Sequence, residues 1–293
     1  MSSESLSAHA DAHGSPAPTN GTPKLSTPGQ GAQSRLDAVR QRIRAACDAA
    51  GRPHQVVQLL AVSKTFGIDE IRALAELGQT AFGENYLQEA LGKIEAASAQ
   101  APTESDGRPG HGPGKTALSV QQPLESTLER PLEWHFIGPI QSNKTRPIAE
   151  HFDWVHSVDR LKIASRLAEQ RPAGRGPLQV CLQIDVSNED SKSGCSPAEA
   201  SALAVQIAAL PGLVLRGVMA IPAPTDDPVA QRAQFRRVRE IYELIRQALP
   251  GPAAAAFDTL SMGMSGDLEA AIDEGATLVR VGTALFGARP ARP

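Results

Sequence analysis

Eight short apolar runs, near residues 59, 80, 134, 154, 180, 215, 258 and 278, alternate along the chain with segments of helical periodicity. Strand–helix alternation with short connections implies right-handed crossovers and a parallel sheet covered on both faces. Two α/β architectures meet that requirement. One is a (β/α)8 TIM barrel, which eight units suggest; the other is an open doubly wound sheet, because periodicity does not report closure. No GxGxxG or GxxxxGK[ST] follows any of these runs, so the nucleotide fingerprints of doubly wound folds are missing.

The helical segments can be placed from their apolar spacing. Leu36, Val39, Ile43 and Ala46 form one stripe, with Ser34 as its expected N-cap and Gly51 and Pro53 closing it. Further helices are expected over 68–77, 86–97, 143–151, 161–170, 197–210 (Ser196 as N-cap, Pro197 at the first position), 229–249 and 267–274. Two stretches break the pattern. Residues 1–33 are Ser, Ala, Pro, Gly and Thr with almost no large apolar side chain, which predicts a disordered tail. Residues 98–130 have a similar composition and read as a flexible insertion. The expectation is one barrel domain over 34–289 and a short tail over 290–293.

Several function classes fall away on composition. A net charge of -3 and 4% aromatics offer neither an electrostatic footprint for nucleic acid nor a base-stacking platform. Cys47, Cys181 and Cys195 are scattered, with no CxxC and no metal-ligand spacing. They read as packing thiols in a reducing cytoplasm. No run approaches the roughly 18 apolar residues of a membrane helix. The N-terminus lacks the basic start and apolar core of a secretory signal.

In a barrel, chemistry gathers at the C-terminal ends of the strands. Lys64 follows the first strand and Asn85 the second. His135 lies within the third, Ser157 ends the fourth and Met219 the sixth. Ser261 and Ser265 flank the seventh, and Arg280 lies in the eighth, just before Gly282 and Thr283. Only Lys64 is a nucleophilic amine, and no carboxylate pair or HExxH accompanies it. A strand-end lysine taken alone reads first as one that snorkels into water. The turns Ser261–Gly266 and Val281–Ala284, however, offer backbone N–H groups to an anion where barrels often hold phosphate. A lysine at one end and a phosphate grip at the other suggest a Schiff base to a phosphorylated aldehyde. Pyridoxal 5′-phosphate (PLP) fits that description.

The motifs Ala61-Val62-Ser63-Lys64-Thr65, Phe82-Gly83-Glu84-Asn85-Tyr86, Trp134-His135-Phe136-Ile137-Gly138-Pro139-Ile140-Gln141-Ser142-Asn143-Lys144, Ser191-Lys192-Ser193-Gly194, Gly217-Val218-Met219-Ala220-Ile221-Pro222, Leu260-Ser261-Met262-Gly263-Met264-Ser265 and Val279-Arg280-Val281-Gly282-Thr283-Ala284-Leu285-Phe286-Gly287 resemble, in order, those of the pyridoxal phosphate homeostasis protein family. The resemblance implies a fold type III barrel similar to the N-terminal domain of alanine racemase. It implies PLP as a Schiff base on Lys64 and Arg280 at the pyridine nitrogen. Ser265, Gly282 and Thr283 would hold the phosphate with Ser261 nearby, and Asn85 and Met219 would line the ring. The chain stops at Pro293, soon after the last strand, where alanine racemase continues into a β-domain supplying a second catalytic base. The resemblance therefore implies a monomeric, cytoplasmic PLP homeostasis protein with no catalytic residues, and apo-PLP enzymes as candidate acceptors. A PLP-dependent racemase or lyase, and a cofactor-free aldolase, are the alternatives. Lys192 reads either as a solvent lysine or as a transient second amine for cofactor entry and release. His135, Trp134 and Trp154 read as packed residues, and Lys144 and Arg146 as a solvated face.

Overall fold

The computed structural model describes residues 28–99, 131–186 and 193–288. Eight parallel strands close into a barrel in simple sequential order. They are β1 (Gln58–Val62), β2 (Ala81–Glu84), β3 (Glu133–Phe136), β4 (Trp154–Val158), β5 (Leu178–Ile184), β6 (Leu213–Ala220), β7 (Thr259–Ser261) and β8 (Leu278–Val281). Closure is made by β1 against β8, with Leu60 beside Arg280 and Ala61 beside Val281. That removes the open-sheet alternative. All eight expected strands are present.

The outer ring comprises α1 (Pro28–Ala49), α2 (Ile68–Glu76), α3 (Leu87–Ser98), α4 (Thr145–His151), α5 (Leu161–Gln170), α6 (Ala200–Ala208), α7 (Pro228–Ala248), α8 (Gly251–Ala256), α9 (Leu268–Asp273) and α10 (Thr283–Phe286). The longer helices bury the stripes their spacing predicts, whereas α8 has no buried residue. Phe235, Val238, Ile241 and Ile245 of α7 are all buried, and burying such a side chain contributes about 1.5–3 kcal/mol. Asp227 starts that helix by accepting a hydrogen bond from the Val229 N–H at 2.9 Å, with Pro228 behind it.

Four boundaries differ from expectation. α1 begins at Pro28, so Ser34 is an interior residue and not its cap. Ala32 is buried and extends the stripe of Leu36, Val39, Ile43 and Ala46 by one more turn. The tail expected over 1–33 is thus helical from residue 28. α6 begins at Ala200 rather than Pro197. Ser196 instead closes a turn ahead of it, its hydroxyl donating to Glu199 Oε2 at 2.6 Å while its carbonyl accepts from the Glu199 N–H. α8 and α10 are additions to the expected helices: α8 opens on Gly251-Pro252 with four alanines, too few to set a stripe, and α10 overlaps the turn read at Val281–Ala284. In α8, Pro252 sits in the first turn, where a missing N–H costs nothing. Residues 1–27, 100–130, 187–192 and 289–293 lie outside the described residues, and with them most of the expected tail and insertion, the C-terminal tail and Lys192.

Candidate functional site

The C-terminal end of the barrel holds a cavity of about 260 Å³ beside the β8–β1 closure. Lys64, Asn85, Ser265, Arg280, Gly282 and Thr283 line it, together with Val62, Phe66, Ile137, Ile221, Met264 and Gly266. Six of the eight expected site residues therefore meet in one space. The other two lie beneath it. Met219 is buried in the barrel interior with Trp154 and Cys181, and Ser261 is fully buried under Arg280.

Each lining group is held from behind. Lys64 leaves the end of β1 on a half-buried side chain, and Thr65, the next residue, has φ 70. For a β-branched residue that left-handed backbone is a true outlier. It persists because the surrounding structure grips it. Glu89 Oε1 accepts from the Thr65 N–H at 2.6 Å and from Lys93 Nζ at 2.6 Å. Lys93 also donates to the Ser63 carbonyl (2.9 Å) and to Glu84 Oε1 (2.7 Å), and the Ser63 hydroxyl donates to the same Glu84 oxygen (2.6 Å). A buried ion cluster thus brackets Lys64 at the residues on either side. Burial outweighs Lys93 and Ser63 at Glu84 and holds its carboxyl above the usual range.

Asn85 is placed by a close approach of backbones. A Cβ at Gly138 would fall 2.1 Å from the Asn85 carbonyl oxygen, so only glycine lets the loop after β3 pack there. Arg280 is buried to 4% exposure. It donates to the Ser261 carbonyl (2.6 Å), the Ser261 hydroxyl (2.9 Å) and the Ala220 carbonyl (2.9 Å). Burial pushes this guanidinium down to about 10, so it remains a cation at neutral pH. On the opposite side, Arg42 of α1 donates to the Ser265 carbonyl at 3.0 Å and pairs through two nitrogens with Glu269. Arg35 donates to the Leu285 carbonyl. α1 therefore braces both turns that were expected to bind an anion. The Thr283 and Ala284 amides, at the start of α10, precede any intrahelical acceptor.

This arrangement can do definite chemistry. It presents one amine, one fixed cation and a set of free first-turn amides around a space of small-molecule size. An aldehyde and a phosphate on one planar molecule would meet the amine and the amides, and the cation would face a ring atom that accepts hydrogen bonds. Among the described lining residues there is no carboxylate, imidazole, thiol or phenol.

The sequence reading overlooked Thr65, Glu84, Glu89, Lys93 and His156. For Lys93 a signal was present: it falls on the apolar stripe of α3 with Leu87 and Ala90, four residues after Glu89. A lysine on a buried stripe needs a buried partner. Elsewhere the packed readings hold. His135, Trp134 and Trp154 are buried, as are the thiols of Cys181 and Cys195, both pushed up to about 12 by burial. Arg146 is exposed beside Glu150. The described residues contain no group of His, Cys, Asp and Glu able to hold a metal ion, and no helix among them is long and apolar enough to cross a membrane.

Comparison with known proteins adds an independent line. The alanine racemase N-terminal domain family matches residues 34–290. A pyridoxal phosphate homeostasis protein of Pseudomonas aeruginosa is 55% identical over 251 residues, covering 86% of this chain and 93% of the relative. PipY of Synechococcus elongatus, solved with PLP bound, aligns with a TM-score of 0.67 and 32% identity over 87% of this chain and 100% of its own. Alanine racemase of Corynebacterium glutamicum shares the fold, with a TM-score of 0.54 and 17% identity over 87% of this chain and 62% of its own.

Proposed function

The chain belongs to the pyridoxal phosphate homeostasis proteins within the alanine racemase N-terminal domain family, and from that premise we propose that it holds PLP on Lys64 for intracellular vitamin B6 and amino-acid homeostasis. The observation that carries this reading is the meeting of Lys64, Arg280 and the turns at Ser265 and Thr283 around one cavity. When bound, PLP supplies an aldehyde that an amine can capture and a ring able to accept electrons.

The chain's residues have separate tasks. Lys64 would supply the amine that captures the aldehyde. Ser265, Gly282 and Thr283 grip the phosphate through hydroxyls and amides. Arg280 donates toward the pyridine nitrogen. A guanidinium has only donors, so this contact favours an unprotonated ring nitrogen and makes the ring a poorer sink for carbanion electrons. Asn85 would border the ring and Ser261 would act through Arg280, while Met219 is buried in the barrel interior.

Two features support a carrier over an enzyme. The first is the guanidinium in place of an acid at the ring nitrogen. The second is the absence, among the described lining residues, of a second proton-transfer group besides Lys64. A carrier would pass PLP to apo-PLP enzymes or buffer its free concentration, acting as a cytoplasmic monomer.

Borohydride reduction of the loaded protein should fix the cofactor's mass on the Lys64 peptide, with loss of the visible-edge absorbance in Lys64→Ala. Retention of that absorbance in Lys64→Ala would remove the reading. Incubation of the loaded protein with a panel of amino acids in deuterated water should give α-proton exchange no faster than free PLP gives. Turnover above that background would favour the racemase or lyase alternative.

A further inference from the structure

The barrel interior carries a row of polar groups that the cofactor reading leaves without a task. Ser261 Oγ accepts from Arg280 Nη1 at 2.9 Å and lies 2.9 Å from His156 Nδ1. His156 Nε2 lies 2.9 Å from His135 Nδ1. His135 Nε2 lies 3.0 Å from Glu133 Oε1, close enough to pair but at an angle outside hydrogen-bond geometry. Glu133 opens β3 on the far face of the barrel, and Ser261 ends β7 below the cavity. The row therefore spans the core from one face to the other.

We propose that Glu133, His135, His156 and Ser261 form a one-directional hydrogen-bond chain that positions Arg280. The direction follows from its two ends. Arg280 can only donate, so it occupies a lone pair of Ser261 Oγ. The Ser261 proton then goes to His156 Nδ1, its one other partner among the described residues. His156, accepting at Nδ1, carries its hydrogen on Nε2 and donates to His135 Nδ1. His135 carries its hydrogen on Nε2 and directs it at the Glu133 carboxylate, which can only accept. Both imidazoles are neutral in this arrangement.

The opposite direction fails on elementary grounds. It needs an imidazolium at His135 or a protonated Glu133. It also leaves Ser261 Oγ accepting twice, with its own proton aimed at nothing. Burial, with the Arg280 guanidinium nearby, holds His156 well below the usual imidazole range, and the His135 N–H directed at it holds the Glu133 carboxyl below its usual range. The His135 ring is clamped by stacking on Trp154 at 5.3 Å and 7°. The chain also meets an electrostatic need. Among the described residues Arg280 donates only to neutral oxygens, and Asp267 acts on this buried cation through its charge alone. Aligned donors running to Glu133 connect it to an anion across the core.

These four are positioning residues; their bearing on the cofactor rests on the assignment of Arg280 made above. The chain itself can be tested in the full-length protein without cofactor. Nitrogen-15 NMR of the histidines at neutral pH, assigned with His135→Gln and His156→Gln, should show both rings neutral. Both should carry the hydrogen on Nε2 in about tenfold or greater excess, as one committed hydrogen bond implies. An Nδ1–H tautomer or an imidazolium at His156 overturns the proposal in the wild-type protein, whether or not any variant folds. Glu133→Met, at a half-exposed site, removes the terminal acceptor and should relax the tautomer preference at His156 as well as His135. An unchanged His156 tautomer in that variant also overturns it. Because neither measurement involves PLP, failure here is distinct from failure of cofactor capture, which the Lys64→Ala spectrum reports.

Discussion

Thr65 holds a backbone angle that costs about 1–3 kcal/mol in a non-glycine residue, and the groups that enforce it flank the residue proposed to bind the cofactor. Lys93 is the centre of that enforcement, with its side chain 7% exposed and its Glu84 partner fully buried. Lys93→Met should cost about 3–5 kcal/mol in a denaturant titration, because it strands a buried carboxylate. Lys93→Met combined with Glu84→Gln should recover much of that loss, since the fully buried charge is gone and Glu89, partly exposed, keeps the Thr65 N–H. A single variant as stable as wild type would show that the cluster is not coupled to folding. The same carboxyl sets a pH dependence. Glu84 is held above its usual 4.5 in the folded protein, so between that value and its folded pKa the native state binds more protons than the unfolded one. Its contribution to stability is therefore greatest below about pH 4.5 and declines as pH rises through the window. Glu84→Gln should flatten that decline in unfolding free energies measured across pH, and an unaltered profile would count against the shift.

α1 lies outside the barrel's repeating units, yet it reaches the turn at Ser265 through Arg42 and the residue after the Val281–Ala284 turn through Arg35, the two turns proposed to hold the phosphate. The Arg42–Glu269 pair is substantially exposed, so its loss should cost only about 0.2–1 kcal/mol of stability. Its effect should be local. Arg42→Ala frees the Ser265 carbonyl and should raise the rate of PLP release several-fold in stopped-flow dilution, with little change in melting temperature. Equal release rates would mean that the turn holds its shape without α1. The elements also show what the sequence could and could not reveal. The eight strands were legible because a barrel strand buries both faces and so reads as an uninterrupted apolar run. The helix stripes were legible because Phe235, Val238, Ile241 and Ile245 repeat at 3–4 residues. The start of α1 at Pro28 was hidden because its first turns hold Gly, Gln and a single buried Ala32, a composition shared with loops. α10 was hidden because four residues are too few to establish a period. At the site, Lys64, Asn85, Ser265, Arg280, Gly282 and Thr283 were legible as strand-end positions. Lys93 meets Glu84 and Ser63 from neighbouring elements, and His156 meets Ser261 across 105 residues, pairings that only the tertiary fold sets.

Closure of the barrel creates the site. With strands in sequential order, an open sheet would leave β1 and β8 at opposite edges, and Lys64 would be remote from Arg280 and Thr283. The β1–β8 ladder brings them around one cavity. A ligand that joins Lys64 to the turn after β8 therefore links two neighbouring strands that are the ends of the barrel in sequence, and its binding free energy should appear in global unfolding. At a hundredfold excess over its Kd, such a ligand adds about 2.7 kcal/mol. For a domain of this size that corresponds to roughly 2–4 °C in Tm for each kcal/mol. PLP should thus raise the melting temperature of the wild-type protein by several degrees. Pyridoxal, which offers the aldehyde without the phosphate, should give a smaller rise at equal concentration, because the Ser265 and Thr283 turns gain no anion. Lys64→Ala should reverse the emphasis, retaining a small response to PLP through the phosphate turns and none to pyridoxal. Equal shifts with PLP and pyridoxal in the wild-type protein would place the binding energy at Lys64 alone and remove the phosphate grip from the two turns.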